Sequence, residues 1–304
     1  MDVDIEPGTY VVAVSGGVDS MALLHLLHHK ITLSGVKPWR GKFIVAHFEH
    51  GVREDSDEDL RLVQDAARRY GLPFVYDRGY LGSDTSEDAA RQARYEFLHG
   101  VRKASGARAV ITAHHQDDLL ETAIHNMLRG TGRRGLVSLR SRPGIHRPLL
   151  HMPKADLIAY AKDQGLVWRE DSTNMDLRYR RNYIRHKLLP QFEAAHKKEE
   201  LLQHIRALYA VHEELETHLI NYLHLQPGLD RLDRHSFIML PHAVAREVLA
   251  AWLRRHGVQN LTTRTLERLI VAAKTYNPGA QTDVNNRYTL GVGRKDLALR
   301  PRER

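Results

Sequence analysis

Residues 15–20 of this chain read Ser-Gly-Gly-Val-Asp-Ser, and the chemistry they offer is anion binding. Gly16 and Gly17 can take positive φ and let an anion approach the main chain closely. Ser15 and Ser20 add hydroxyl donors, and the free N–H groups of a helix start favour negative charge. Asp19 would repel a bare phosphate, so its natural partner is a Mg²⁺ ion placed between the two. A purely structural strand-to-helix turn accounts for the two glycines but not for the whole string. The stretch is not a Walker A loop, because no Lys-Ser/Thr pair follows the glycines, and the G-x-G-x-x-G spacing is absent as well.

Residues 112–122 (TAHHQDDLLET) form a second dense group. His114, His115, Asp117, Asp118 and Glu121 cluster there, with Asp118 and Glu121 on one helix face. Acids capping a helix would explain one carboxylate, not three acids beside two histidines. His47, His50 and Arg53 follow an apolar run. Without a third ligand nearby, they suit nucleotide contact or loop organisation better than a metal. Two segments are basic, 130–149 and 170–190. The second interleaves Tyr179 and Tyr183 with Arg178, Arg180, Arg181, Arg185 and Lys187. Guanidinium groups bind phosphate and aromatic faces stack on unpaired bases, so RNA contact is the functional reading and a solvated charged face the plain one.

These residues need elements to hold them. Tyr10–Val14 reads as a strand buried on both faces, and Met21, Leu23, Leu24 and Leu27 as one face of a helix. Strands over 42–48, 72–80 and 107–115 alternate with helices over 55–70, 86–103 and 116–130. That order predicts an α/β fold with a parallel sheet and helices on both faces. Ligands bind at the carboxyl ends of such strands, where Ser15–Ser20, His47–His50 and His114–Asp118 all fall. A further helix is expected over 154–165. From 191 the pattern turns to helix, loop, helix, beginning with one long helix over 191–223 and ending in a small hairpin near 282–301. The predicted division is a catalytic domain over 1–190 and a smaller, mainly helical domain over 191–304.

Forty-five Lys and Arg against 37 Asp and Glu give a net charge of +8, which suits a polyanionic partner. The absence of cysteine excludes disulfides, Cys-based zinc sites and iron–sulfur clusters and fits a reducing compartment. The first residues lack a signal-peptide layout and no apolar run reaches membrane-span length. The expectation is a soluble, cytoplasmic chain with no membrane association.

The string SGGVDS resembles the pyrophosphate loop of the N-type ATP pyrophosphatases, the PP-loop superfamily. With HFEHGVR, ARQARYEFL, TAHHQDDLLETAIHNMLRGTGRRGL, RPLL and EDSTNMDLRYRRNYIRHKLLP in this order, residues 10 to 190 resemble the tRNA(Ile)-lysidine synthase family. The resemblance implies an adenine nucleotide α-hydrolase-like fold and an ATP-dependent ligase. Such an enzyme joins L-lysine to the wobble cytidine of a tRNA(Ile) with a CAU anticodon, through an adenylated base. The product, lysidine, changes codon reading from AUG to AUA and identity from Met to Ile. On this resemblance Ser15, Gly16, Gly17, Val18, Asp19, Ser20 and His47 bind ATP, and Asp19 also holds Mg²⁺. Asp19, His114, Asp118, Glu121 and Arg94 serve catalysis. Lysine's amine is protonated at neutral pH, and Asp118 and Glu121 are the carboxylates to anchor it and take its proton. His114 is placed to assist adenylation, and Arg91 or Arg94 to steady phosphate or base. Arg91, Arg129, Arg133, Arg134, Arg178, Arg181 and Arg185 contact tRNA, as does the helical domain, and a homodimer is compatible with all of this.

Three other functions share parts of the pattern. An RNA thiolase on the same fold commonly works through cysteines, which are absent here. A small-molecule amide ligase would not need the Arg/Tyr segments, and a non-catalytic tRNA-binding protein would not need Asp19, Asp118 and Glu121. Two departures from the family pattern stand out. Glu49 occupies the usual position of an Asn, and the 304-residue length matches the short members, which lack an extra C-terminal domain.

Overall fold

The computed structural model of the chain describes residues 1–32, 40–49, 56–79, 87–170, 177, 180–259 and 261–302. They form two compact units, 1–208 and 209–304.

In the first unit a five-stranded parallel sheet has the order β3-β2-β1-β4-β5. Its strands are β1 (Thr9–Ala13), β2 (Lys42–Glu49), β3 (Phe74–Arg78), β4 (Ala109–Ile111) and β5 (Ile145–His146). The expected strands are all present, though β3 and β4 are shorter than their apolar runs. Side chains alternate across the sheet, as the period of two requires. Val12, Val45 and Ile111 join one core with Leu23, Leu24 and Leu27 of helix α1 (Val18–Thr32) and Leu157 of α6 (Lys154–Asp163). Val63 and Ala67 of α2 (Ser56–Arg69) complete that layer. Val11, Ala46 and Val110 point the other way, onto Leu98 of α3 (Glu87–Ala104). Beyond β4, helix α4 (Gln116–Leu128) precedes the short α5 (Arg133–Leu136).

The single helix expected over 191–223 is two. Helix α7 (Arg180–Tyr183) passes through a π-helical turn (Ile184–Leu188) into α8 (Leu189–Ala194), and α9 (Lys198–His224) starts afresh. The break is a Schellman-type cap. His196 takes φ 54°, Lys197 N–H reaches back to Phe192 O at 2.7 Å, and His196 N–H to Glu193 O at 3.0 Å. Glycine normally marks that position, and a histidine there leaves no composition signal.

The second unit is helical with a four-stranded antiparallel sheet, ordered β6-β9-β8-β7. The hairpin read from sequence is β8 (Tyr288–Val292) with β9 (Asp296–Pro301). The flanking β7 (Gln281–Asp283) and β6 (Arg231–Asp233) have three residues each, too few to show alternation. Leu249, Trp252 and Leu253 of α11 (His242–Arg255) pack with Leu269 and Ile270 of α12 (Thr263–Thr275) and with Leu290 and Leu297 of the sheet.

Arg234, the first residue of α10 (Arg234–Met239), is buried in this unit. Its guanidinium donates to Ala273 O at 3.1 Å, Tyr276 O at 2.7 Å and Gly293 O at 2.9 Å, tying the end of α12 to the β8–β9 turn. A cation is the favourable partner for the negative end of a helix. Arg234→Met should leave three buried carbonyls without a donor and cost about 3 kcal/mol. Hydrogen exchange on the full chain checks this, because protection should fall in α12 and β8 and hold in β1 and α1.

Candidate active site

Strand β1 lies between β2 and β4, and the connection after β1 leads to β2 while that after β4 leads away to β5, so a crevice opens between their carboxyl ends. The loop after β1 closes on itself. Ser20 Oγ accepts from Ser15 N–H at 3.2 Å and donates to Gly17 O at 2.9 Å, while Gly16 adopts φ +94°. Arg169 N–H holds Gly16 O from outside at 3.1 Å, and the Arg169 side chain meets Asp59 at 2.9 Å. The N–H groups of Gly16, Gly17, Val18 and Asp19 have no hydrogen-bond partner among the described residues. Four such donors at the start of a 15-residue helix form an anion cradle.

Asp19 and His47 flank the cradle, each with an unsatisfied atom. His47 is buried, and its Nδ1–H donates to Val14 O at 2.8 Å, which leaves Nε2 as an acceptor. That nitrogen and Asp19 Oδ1 are both buried without a partner. Burial pulls the His47 pKa down despite the Val14 bond, so the ring is neutral. Asp19 Oδ2 lies 3.4 Å from His115 Nε2 and 3.7 Å from Lys154 Nζ. Burial alone would raise the Asp19 pKa, but the His115 bond and the charges of His115, Lys154 and Arg185 bring it below the usual value. It is a carboxylate with one oxygen to give. No group of three or more His, Asp or Glu suited to a metal occurs among the described residues. A Mg²⁺ ion at Asp19 would therefore complete its shell from phosphate oxygens and water, as that ion commonly does.

His115 is extended (φ −119°, ψ −175°), and its side chain meets other groups than that of His114. His115 turns towards Asp19 and caps α4. Its Nδ1 accepts from Asp118 N–H at 3.4 Å, and Asp118 Oδ2 accepts from His115 N–H at 3.0 Å. With Nδ1 accepting, the Nε2–H is left for the carboxylates of Asp19 and Asp118. Burial lowers the His115 pKa, but the Asp19 bond and the Asp118 charge raise it overall.

One turn along α4, Glu121 is buried and receives a two-pronged bond from Arg185, Nε to Oε1 at 2.6 Å and Nη2 to Oε2 at 2.8 Å. Arg185 also lies 3.7 Å from Asp118. It stands in the π-helical turn, a form often found at functional sites. Burial raises the Glu121 pKa more than Arg185 lowers it. Lys198 Nζ meets Asp117 at 3.0 Å. Together Asp117, Glu121, Glu193, Lys154, Arg185 and Lys198 line a cavity of about 140 Å³, three acids facing three cations.

His114 points to the α3 side. Its Nδ1 meets Thr112 Oγ1 at 2.8 Å and Arg147 Nε at 3.4 Å. Arg91 and Arg94 lie 5.1 and 5.6 Å from the centre of the Tyr95 ring. Asp19, Asp118 and Glu121 thus lie along one chain of contacts through His115 and Arg185, whereas His114, expected with them, meets Thr112 and Arg147. Arg185, expected at RNA, is engaged by Glu121. Arg129 is exposed, whereas Arg133, Arg134 and Arg181 are partly buried. Arg178, His50, Arg53 and Tyr179 lie outside the described residues. Lys154, Lys198, Arg147 and Arg169 were missed, because nothing local to their segments marks them. Glu49, at the usual Asn position, pairs at 2.6 Å with Arg78, its register partner on β3.

Removing one partner of a buried ion pair strands the other charge. Arg185→Leu should destabilise the first unit by roughly 3 kcal/mol at neutral pH, and Glu121→Gln in the same chain should recover part of it. The Glu121 pKa is already raised and would rise further without Arg185. The deficit should therefore shrink as pH falls and Glu121 takes up a proton. Urea unfolding of the two variants across acid and neutral pH measures this.

A family model described as a PP-loop domain matches residues 3–192. A tRNA(Ile)-lysidine synthase of Chlorobaculum tepidum is 37% identical over 263 residues, 82% of this chain and 78% of that one. One from Thermotoga sp. strain RQ2 is 38% identical over 194 residues, 61% of this chain and 46% of the relative, so the chain spans about half of that protein's length. One from Exiguobacterium sibiricum is 33% identical over 283 residues, 91% of this chain and 65% of that one. Among solved structures, the U34-tRNA thiolase NcsA from Methanococcus maripaludis shares the fold, with a TM-score of 0.55 and 15% identity over 67% of this chain and 74% of that one. With the anion cradle at its switch point and these relatives across its length, the chain belongs to the tRNA(Ile)-lysidine synthase family of PP-loop proteins.

Proposed function

We propose that this chain ligates L-lysine to the wobble cytidine of a tRNA(Ile) bearing a CAU anticodon, using ATP. The observation that carries the reading is Lys154. It pairs with Asp19 beside the anion cradle and also lines the cavity of three acids and three cations. One wall of the site thus suits a polyphosphate, and the adjoining one suits a molecule with charges of both signs.

The reaction divides accordingly. The ring carbonyl oxygen of cytidine attacks the α-phosphorus of ATP, and the bond to the β-phosphate breaks. The N–H groups of residues 16–19 receive the departing pyrophosphate. Asp19 Oδ1, buried without a partner, is the atom to hold Mg²⁺. That ion, when bound, offsets phosphate charge. His47 Nε2, a buried acceptor in need of a donor, suits an amino or hydroxyl group of the nucleotide. In the second half-reaction the ε-amine of lysine bonds to the activated ring carbon, and AMP leaves with the former carbonyl oxygen. Asp118 and Glu121 hold the ammonium and take its proton, and the cations of the cavity face the lysine carboxylate. Arg185, which already bridges Glu121 and Asp118, sets the position of both. In this reading residues 1–190 carry the chemistry, with Glu193 and Lys198 completing the cavity wall. Arg91, Arg129, Arg133, Arg134, Arg178 and Arg181 contact the tRNA together with residues 191–304.

The test is incubation with ATP, labelled lysine and a CAU-anticodon tRNA(Ile) transcript, followed by nucleoside analysis. The wild-type chain should form lysidine, and its absence alongside normal pyrophosphate release would overturn the substrate assignment. Asp19→Ala should lower pyrophosphate release and lysidine formation together, by at least about 10²-fold. Glu121→Gln should spare adenylation and block lysine transfer, so that adenylated tRNA accumulates. If Glu121→Gln stops adenylation as completely as Asp19→Ala does, Glu121 does not serve lysine.

A further inference from the structure

His114 Nδ1 faces two groups, the Thr112 hydroxyl at 2.8 Å and the Arg147 Nε at 3.4 Å. A hydroxyl can give or take a hydrogen bond, so Thr112 alone leaves the histidine tautomer open. A guanidinium N–H can only give. Opposite it, Nδ1 must accept, and the single ring proton then sits on Nε2. We propose that Arg147 is a positioning residue whose Nε–H fixes His114 as the neutral Nε2–H tautomer, making His114 a hydrogen-bond donor rather than a base.

Arg147 is built into place for this. It is 5% exposed, and its Nη1 donates to Arg140 O. Its Nη2 lies 3.5 Å from the Tyr95 hydroxyl, and its backbone N–H donates to Ser141 Oγ at 2.9 Å. No carboxylate pairs with it among the described residues, so its charge is not cancelled locally. Arg91 and Arg94 from α3 and Arg181 from α7 add charge of the same sign, with Tyr95 the other titratable group at hand. Burial first, then Arg147 and these three arginines, hold His114 well below the ordinary histidine range, in agreement with the geometry. Nε2 has no hydrogen-bond partner among the described residues, which leaves its N–H for a ligand.

The consequence for chemistry rests on the lysidine reading above; the tautomer does not. In that reaction the attacking carbonyl oxygen carries no proton, so adenylation has no use for a base at this position. It has use for a donor where negative charge develops, the role a neutral imidazole fills elsewhere.

The tautomer is read directly by long-range ¹H–¹⁵N NMR of the full chain with ¹⁵N-labelled histidine and no substrates, His114→Gln assigning the signal. Wild type should show protonated Nε2 and bare Nδ1 from about pH 6 to 8. Thr112→Val should keep that pattern, and Arg147→Gln should lose it to a mixture of tautomers. An Nδ1–H or doubly protonated ring in wild type overturns the proposal, as does an Arg147→Gln spectrum like wild type. Should Arg147→Gln fail to fold, the Thr112→Val spectrum decides, because loss of the Nε2–H form there would assign the selection to Thr112. In the adenylation assay, Arg147→Gln should lower kcat by about 10²-fold with KM for ATP little changed, the signature of a transition-state interaction. A changed tautomer with unchanged kcat would overturn the catalytic role and leave the positioning one.

Discussion

The parallel sheet reverses its strand order at β1, and the site depends on that reversal. The chain leaves β1 through α1 to reach β2 on one side, and β4 takes its place on the other. Two loops therefore diverge from adjacent strand ends, and only there can a ligand enter without meeting a crossover helix. The cradle of four N–H groups belongs to the first loop and the His115 cap to the second. The Asp19–His115 contact joins the two across the crevice.

Around that contact the sheet sorts charge by side. His115, Asp117, Asp118 and Glu121 lie with Asp19, Lys154, Arg185 and Lys198, each acid within 4 Å of a cationic side chain or of His115. His114 lies with Thr112 and Arg147, near Arg91 and Arg94, and the charged groups acting on it among the described residues are arginines. Buried charges of mixed sign offset one another. A patch of one sign cannot, and its vacancy is for an anion or an electron-rich group. Two environments of opposite character thus lie only one residue apart in sequence.

Several features that carry no chemistry follow the same rule that buried polar groups find partners. Glu49 has Arg78 beside it in register, so the departure at that position costs the sheet no unpaired charge. Arg234 is a buried cation with no carboxylate partner among the described residues, yet three carbonyls satisfy it, two of them from the end of α12. In both cases a long-range contact supplies what the local backbone cannot.

The sequence by itself determined whatever depends on neighbours in the chain. Two glycines between a β-branched run and a helical one require the turn at 15–20, and period-two and period-3.6 patterns require the strands and helices around it. The order of those elements then implies the parallel sheet and the end at which it binds ligands. Partner choice is another matter. Arg185 reaches Glu121 across 64 residues and Arg147 reaches His114 across 33, and neither segment holds a local mark of its partner. The split of His114 from His115 became visible only in their contacts, Thr112 and Arg147 for the one and Asp19 and Asp118 for the other. The break at His196 escaped because every residue around it is acceptable in a helix. Local propensity decides which elements form, while the pairing of buried charges is decided by which elements pack together, and that is a property of the tertiary structure alone.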